Sequence, residues 1–345
     1  MKSIKLRSIR IPNQWLIVLS AIVLAMVALF VWKVWPASDR QMLQSTAIVE
    51  CQSWYEVQTD GMVKMCFSDV GPDSVLHHPS LKWDSSKQTT FTTGVWLNRH
   101  SWIPSCKGRL VTTGISNKMM DKMNGKLLMM HENDLNQRRV NQITSQLKEL
   151  DYYLHVHQVQ DEGYNKVADY TVKQRQKLAY CQSLGEVLDN ICQAKDIRIV
   201  HRSTYVAHVR YNKNNTVQIA CRVINTRDVV ESGKDKLLIL LQVHDKKTPK
   251  DVSPQSMMPW SSAKKGDALA VGYGGLGVVE FASPSATPSI LPVKLQNSMH
   301  SLPPVLGSDG TPIYSQRGRF IGITLGSEVV SRTILGDLFK IDDKE

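Results

Sequence analysis

Two closely spaced histidines and a group of methionines are candidate metal ligands in this chain. His155 and His157 stand two positions apart near the end of a predicted helix, where such a pair points to different faces. The methionines have mostly helical spacing, which is typical of core packing, with an adaptable soft-metal surface as the alternative. They are Met119, Met120, Met123, Met129 and Met130. We therefore predict no metal site and no cofactor.

The cysteines show no C-x-x-C pair and no spacing typical of a zinc site. They stand at positions 51, 66, 106, 181, 192 and 221. Cys181 and Cys192 fall in one predicted helix at a separation of about 16 Å, which is too far for a disulfide. We predict that these two are small buried residues on one apolar stripe of the helix.

Neither a nucleotide nor a nucleic acid is a predicted ligand. The stretch Gly272-Tyr273-Gly274-Gly275-Leu276-Gly277 lacks the Lys-Ser/Thr pair and the following helix of a phosphate-binding loop, so a tight turn explains it better. The formal net charge is +11, and the first 40 residues supply +5 of it, from six Lys and Arg less Asp39. The remaining charge is spread without a dense basic tract, which is typical of a solvated surface.

The first predicted element of the chain is an apolar run near the N-terminus. Trp15 to Trp32 contains no charge, Gly or Pro, and at helical rise it spans about 27 Å, close to the hydrocarbon thickness of a bilayer. Four basic residues precede it, which predicts a cytoplasmic tail at 1–13, a transmembrane signal anchor at 14–35 and a domain outside the cytoplasm. We expect a bacterial inner-membrane protein that faces the periplasm, where disulfides could form. A cleaved signal peptide, with its shorter apolar region, is the alternative.

The exported region shows strands, then two helices, then strands again. Residues 36–45 are predicted to form a stalk, followed by a hairpin of Ala47–Val57 and Met62–Phe67. Residues 116–195 contain few Gly or Pro, and their apolar residues recur every three or four positions, which predicts a helical hairpin with a break near Gly163. A mainly β domain with a helical insertion explains this order better than an alternating α/β fold.

One segment near the C-terminus resembles the nucleophile loop of trypsin-like serine peptidases, which have the chymotrypsin fold. It runs through Gly307-Ser308-Asp309-Gly310-Thr311-Pro312-Ile313-Tyr314 and continues with Gly318-Arg319-Phe320-Ile321-Gly322-Ile323. Its specificity lies in the spaced glycines, the proline and the Gly-x-x-Ile-Gly-Ile strand occurring together. Three weaker segments resemble the strand pair before the catalytic histidine, the start of the aspartate segment and the opening strand of the second barrel. They are Phe91–Asn98 with Trp102–Cys106, Leu237–Val243 and Lys264–Tyr273.

The resemblance implies a chymotrypsin-like double β-barrel with an inserted α-helical hairpin, preceded by one transmembrane helix. Six ranges follow the stalk: the first barrel at 46–115 and 196–247, the insertion at 116–195, a Pro/Ser-rich linker at 248–262, the second barrel at 263–335 and a tail at 336–345.

The family's three catalytic positions are occupied here by residues that cannot perform its chemistry. The resemblance places Gly108 at the histidine, Leu237 at the aspartate and Asp309 at the serine, with Ser308 one position earlier. Catalysis needs a serine nucleophile, a histidine base and an aspartate that orients the histidine. An aspartate in the loop would also place a carboxylate against the amides that normally bind the oxyanion. The resemblance therefore implies a pseudopeptidase.

Two functions follow from this comparison. We expect a protein-binding or scaffolding module of the cell envelope, which contacts its partner through residues 116–195 or through the former substrate cleft. The insertion is favoured because an apolar seam outside the barrels needs a cover, and the alternative is that the two helices bury their apolar stripes against each other and the first barrel. The alternative is an active trypsin-like serine endopeptidase with displaced catalytic residues, in which Ser308 acts with a relocated base. The candidate bases are His100, His201 and His208.

Overall fold

A computed structural model describes residues 18–27, 36–98, 107–115, 120, 123–212, 215–231, 234–257, 265–276 and 286–340. The helices are α1 (residues 18–27), α2 (Asp39–Gln44), α3 (Trp83–Ser86), α4 (Gly125–Val156), α5 (Tyr164–Gln193) and α6 (Arg332–Leu338). The strands are β1 (Thr46–Thr59), β2 (Met62–Phe67), β3 (Asp69–Val70), β4 (Leu76–His77), β5 (Gln88–Asn98), β6 (Arg109–Ile115), β7 (Ile197–Asn212), β8 (Asn215–Glu231), β9 (Lys234–Val243), β10 (Gln255–Ser256), β11 (Lys265–Tyr273), β12 (Pro288–Gln296), β13 (Met299–His300), β14 (Pro312–Ser315), β15 (Phe320–Leu325) and β16 (Glu328–Ser331).

Two sheets contain most of these strands. The strands β11, β12, β13, β16, β15 and β14 close into a barrel in that order. The larger sheet has the order β10-β5-β6-β9-β8-β7-β1-β2, and an additional pairing of β1 with β5 closes six of its strands into a ring. The chain is therefore mainly β, as predicted, and two closed six-stranded arrangements are consistent with a chymotrypsin-like fold.

The predicted hairpin at the start of the domain is confirmed, whereas β5 pairs with a strand that was not predicted, β6. β1 and β2 pair in antiparallel register through Thr59 and Met62, and Asp60 and Gly61 form the turn with positive φ. The segment Trp102–Cys106 lies outside the described residues. β5 pairs with β6, where Val95 faces Val111.

The chain divides into two compact units that do not follow the predicted domain boundaries. Unit 1 comprises Met1–Val49, Phe91–Gly114 and Val206–Glu345, and unit 2 comprises Glu50–Thr90 and Ile115–Tyr205. The helical insertion therefore belongs to unit 2 together with α3, β2, β3, β4 and one end each of β1, β5, β6 and β7. The reason is packing, because apolar residues of α4 and α5 share a core with β1 and β2.

Unit 1 includes two segments that the sequence suggested would lie outside the fold. The predicted stalk contains α2, whose Met42 is buried in the main core, and Ser45 contacts the hydroxyl of Tyr314 at 2.6 Å. The predicted C-terminal tail begins inside α6, where Leu338 and Phe339 are buried in the same core. The predictions of a stalk and of a free tail are therefore corrected. In both segments a few apolar side chains are sufficient to pack a short helix against the main core.

The helical hairpin of unit 2 is confirmed. α4 and α5 pack along a seam that contains Ile143, Leu147 and Cys181, as the spacing of apolar residues predicted. Gly163, at the predicted break, has φ of +88° directly before α5, a conformation that favours glycine. Cys192 is half-buried on the same helix.

The methionines near the hairpin were predicted to pack in a core. Met129 is fully buried among residues of α5, β1 and β2, with Met120 and Met123 packed against that cluster. Met130 points to solvent, and Met119 lies outside the described residues.

The predicted anchor lies mostly outside the described residues. Residues 18–27 are helical, and within the ranges that the structure describes no helix is both long and apolar enough to cross a bilayer.

Candidate functional site

The loop that resembles the nucleophile loop lies in unit 1, directly before β14. Gly310 has φ of +86°, and a Cβ there would stand 2.0 Å from the carbonyl oxygen of Thr93. Its backbone N–H donates to the carbonyl of Thr324 at 2.8 Å. Glycine is therefore required here by backbone conformation and by close approach, and it brings the loop against β5 and β15.

Asp309, which the sequence resemblance places at the nucleophile position, is held in an ion pair. Its Oδ2 atom accepts a hydrogen bond from Lys236 Nζ at 2.7 Å, and its Oδ1 accepts from the backbone N–H of Gly326 at 2.7 Å. The side chains of Lys236 and Asp309 are 24% and 32% exposed, so water screens the pair only in part. The expectation that this carboxylate would occupy the amides of its own loop is corrected, because a lysine on β9 offers a full positive charge within reach.

Ser308, the alternative nucleophile, is part of a network of hydroxyl groups. Its Oγ lies 2.8 Å from Thr93 Oγ1 and accepts from the backbone N–H of Thr93 at 3.1 Å. Thr311 adds to the network by donating its hydroxyl to the carbonyl of Ser308 at 2.7 Å. The serine therefore acts as a structural link between the loop and β5.

A cavity of about 350 Å³ opens beside the loop, and all of its lining belongs to unit 1. Ser308 and Asp309 lie on the polar part of its wall, whereas Phe91, Leu276 and Leu302 supply an apolar part. Because Asp309 is already paired, the cavity presents mainly neutral groups to a ligand.

His300 also lines this cavity, and both of its ring nitrogens contact the backbone. Nδ1 accepts from the N–H of Leu302 at 3.2 Å, and Nε2 lies 2.9 Å from the carbonyl of Gly326. This pattern requires the neutral ring to bear its proton on Nε2. The nitrogen that accepts, Nδ1, is therefore occupied and is not available as a general base.

The other two positions implied by the resemblance have ordinary structural roles. Gly108 is buried just before β6 with φ of +58°, and a Cβ there would lie 2.3 Å from Val243 and 2.5 Å from the carbonyl of Lys247. Leu237 lies on β9 opposite Asp228 and is half-buried. Neither residue supplies a proton acceptor.

The histidines proposed as relocated bases are not among the contacts of Ser308. His201 belongs to unit 2, where its ring lies 5.0 Å from that of Tyr55 and burial lowers its pKa. His208 is buried in unit 1 with its ring 6.5 Å from Phe91. His100 lies outside the described residues.

No group of three or more potential ligands that could hold a metal ion occurs within the described ranges. His157 stacks on Tyr153 at 3.9 Å instead of pairing with His155.

Five described cysteines are free thiols, and Cys106 lies outside the described residues. Burial raises the pKa of the Cys66 and Cys221 thiols to about 11.

Three residues that define this site were missed by sequence reasoning. Lys236 precedes the aligned Leu237 but carried no signal, since a lysine before an apolar strand normally keeps its charge in water. Thr93 and His300 carried no signal, since threonine is common in strands and a lone histidine is more often a surface group.

No protein-family model matches this chain, and no curated protein matches it either. A solved structure of kallikrein-related peptidase 10 is 14% identical, and the match covers 41% of this chain and 80% of that chain with a TM-score of 0.27. The strand order of the two sheets, and not this match, defines the fold.

Proposed function

We propose that this chain is a membrane-anchored pseudopeptidase that binds or scaffolds other proteins in the cell envelope. The observation that carries the proposal is the Asp309–Lys236 ion pair at the position where the resemblance expects a nucleophile. A carboxylate held by Lys236 and by the backbone N–H of Gly326 stands where acyl transfer in that family uses a serine hydroxyl.

The alternative of an active peptidase is disfavoured by the surroundings of Ser308. A serine becomes a nucleophile when a base takes its proton, and the hydroxyl here contacts Thr93 instead. His300, in the same cavity, uses both ring nitrogens on backbone groups. Leu237 cannot orient an imidazole, since it has no acceptor.

The helical hairpin supports a role in binding. Near the connection between α4 and α5, three apolar side chains are strongly exposed: Tyr152, Val156 and Val159 are 69%, 51% and 61% exposed. Burying such side chains against a partner releases about 25 cal/mol per Å² of apolar surface. The hairpin therefore offers a contact surface that its own unit leaves uncovered.

A labelling experiment tests the loss of activity. The purified chain is incubated with a fluorophosphonate probe and with a mixture of fluorogenic peptides, beside Ser308→Ala. We expect no labelling and no cleavage by either protein. Labelling or cleavage that disappears in Ser308→Ala would instead establish an active serine hydrolase.

A crosslinking experiment tests the binding role. A photoreactive amino acid at position 152 should give crosslinks to another protein in intact cells, whereas the same group at position 173, an exposed site further along α5, serves as the matched control. Recovery of the uncrosslinked monomer from both variants would count against the hairpin as the contact surface.

A further inference from the structure

Unit 2 presents two tryptophans in contact on its surface. Trp54 of β1 and Trp83 of α3 have ring centroids 5.1 Å apart with planes tilted by 33°, and Trp83 is 50% exposed. Lys87 Nζ lies 5.6 Å from the centroid of the Trp83 ring. Contiguous aromatic side chains on a surface are one mark of an interaction site.

A row of polar side chains continues this aromatic surface along β1. Tyr55 and Val57 point into the core, so the alternation of the strand turns Trp54, Glu56 and Gln58 to the opposite face. Glu56 accepts hydrogen bonds from Trp54 Nε1 at 3.2 Å and from Gln58 Nε2 at 3.0 Å. The two tryptophans and the polar row therefore share one face of the sheet.

Two further side chains extend this face. Arg202 of β7 donates from Nε to Glu56 at 3.1 Å. Burial acts to raise the pKa of Glu56, but the hydrogen bonds from Arg202, Trp54 and Gln58 outweigh it and hold that pKa below its usual value. Val63 of β2 is the cross-strand partner of Gln58 and is 49% exposed.

Two ion pairs contact this face. Glu56 is neutralised by Arg202, and Lys87 forms an ion pair with Asp84 at 2.8 Å. An anionic lipid surface is bound by an excess of basic groups, and these two ion pairs contribute no excess positive charge. The face instead combines an aromatic surface with amide, carboxylate and guanidinium groups of no net charge.

We propose that this face binds a neutral saccharide. A pyranose ring has one face of C–H groups that stacks on an indole and a rim of hydroxyls that both donate and accept hydrogen bonds. Trp83 supplies the stacking surface, and the Gln58 amide and the Arg202 guanidinium, which contact Glu56 further along the same face, supply polar partners. The proposal is independent of whether the helical hairpin binds a protein.

Affinity electrophoresis of the full chain in detergent tests the proposal. The gels contain one of four soluble neutral polysaccharides: hydroxyethyl cellulose, glycol chitin, amylose or mannan. We expect retardation by at least one of them, and a loss of affinity of about tenfold or more in Trp83→Ala, as for removal of one stacked aromatic contact. Trp83→Phe should retain an intermediate affinity.

Tyr152→Ala is the matched control, because it removes an aromatic ring that is 69% exposed on the hairpin. It should leave the retardation unchanged, and circular dichroism should show that each variant is folded. Three results would overturn the proposal: no retardation by any polysaccharide, equal retardation of wild type and Trp83→Ala, or Trp83-dependent binding to phosphatidylcholine vesicles or an oligoproline peptide without polysaccharide binding.

Discussion

At the scale of single residues, the ion pair of Asp309 and Lys236 joins the loop before β14 to β9. A serine, a histidine and an aspartate perform acyl transfer because the proton of the serine has an acceptor that the aspartate orients. Here the loop carries a carboxylate, and an ammonium from β9 reaches it at 2.7 Å. The same loop geometry thus joins two segments of unit 1 electrostatically.

Removal of the lysine should therefore reduce stability. We expect Lys236→Ala to lower the free energy of unfolding by about 1–2 kcal/mol, between the values for exposed and buried pairs, since both side chains are partly screened. Urea unfolding measures the change, and a double-mutant cycle with Asp309→Asn isolates the pair.

The control is Arg198→Ala, which removes an ion pair with Asp196 whose side chains are 74% and 64% exposed. Its effect should stay below about 0.5 kcal/mol. A coupling energy near zero between positions 236 and 309 would show that the pair contributes nothing.

At the scale of elements, a buried acidic residue joins the hairpin to a short strand. Glu132 of α4 is fully buried, and it contacts Arg139 Nη1 at 2.7 Å through Oε1. Its Oε2 accepts from the backbone N–H of Leu76, on β4, at 3.3 Å. The interaction satisfies a strand donor that would otherwise be buried without a partner.

Loss of this carboxylate should loosen β4. We expect Glu132→Ala to destabilise the protein by about 2 kcal/mol and to speed hydrogen exchange at the Leu76 amide, because that donor loses its acceptor. Asp134→Ala is the control, since its ion pair with Arg138 on the same helix is largely exposed. Equal exchange at Leu76 in both variants would show that Glu132 does not hold the strand.

The elements themselves were largely predictable, whereas their partners were not. The periodic spacing of apolar residues predicted the seam of the hairpin, where Ile143 and Leu147 of α4 pack with Cys181 of α5, and Gly163 marked the break between the helices. This was possible because the packing face of a helix follows from local periodicity. The Asp309–Lys236 pair joins residues 73 positions apart, and no local pattern encodes that. Burial of Met42 and Phe339 depends likewise on distant strands.

At the scale of the whole molecule, the predicted anchor is the first property to test. The run Trp15–Trp32 is long enough to span a bilayer and has basic residues before it. We expect the expressed chain to stay in the membrane fraction after alkaline carbonate extraction, and a chain lacking residues 1–35 to be released. Release of the intact chain would contradict the anchor.

Stability of the whole fold should fall at alkaline pH, because its interior holds protonated groups. Burial raises the pKa of Tyr273 from 10.0 to about 12, although a hydrogen bond with Thr46 opposes the shift. Between those values the unfolded chain loses a proton that the folded chain keeps, so the free energy of unfolding decreases as pH rises. Cys66 and Cys221 act in the same direction from pH 9.0 to about 11.

Replacing one hydroxyl separates the contribution of Tyr273 from the others. Tyr273→Phe keeps the ring but cannot ionise, so its stability should decline less steeply than wild type between about pH 10 and about pH 12, by up to about 1.4 kcal/mol for each pH unit. Urea midpoints across that range measure the slopes. Tyr152→Phe removes the same hydroxyl from an exposed helical position, where folding changes its surroundings little, and should keep the wild-type slope. Identical slopes in all three proteins would mean that the Tyr273 hydroxyl ionises equally well folded and unfolded.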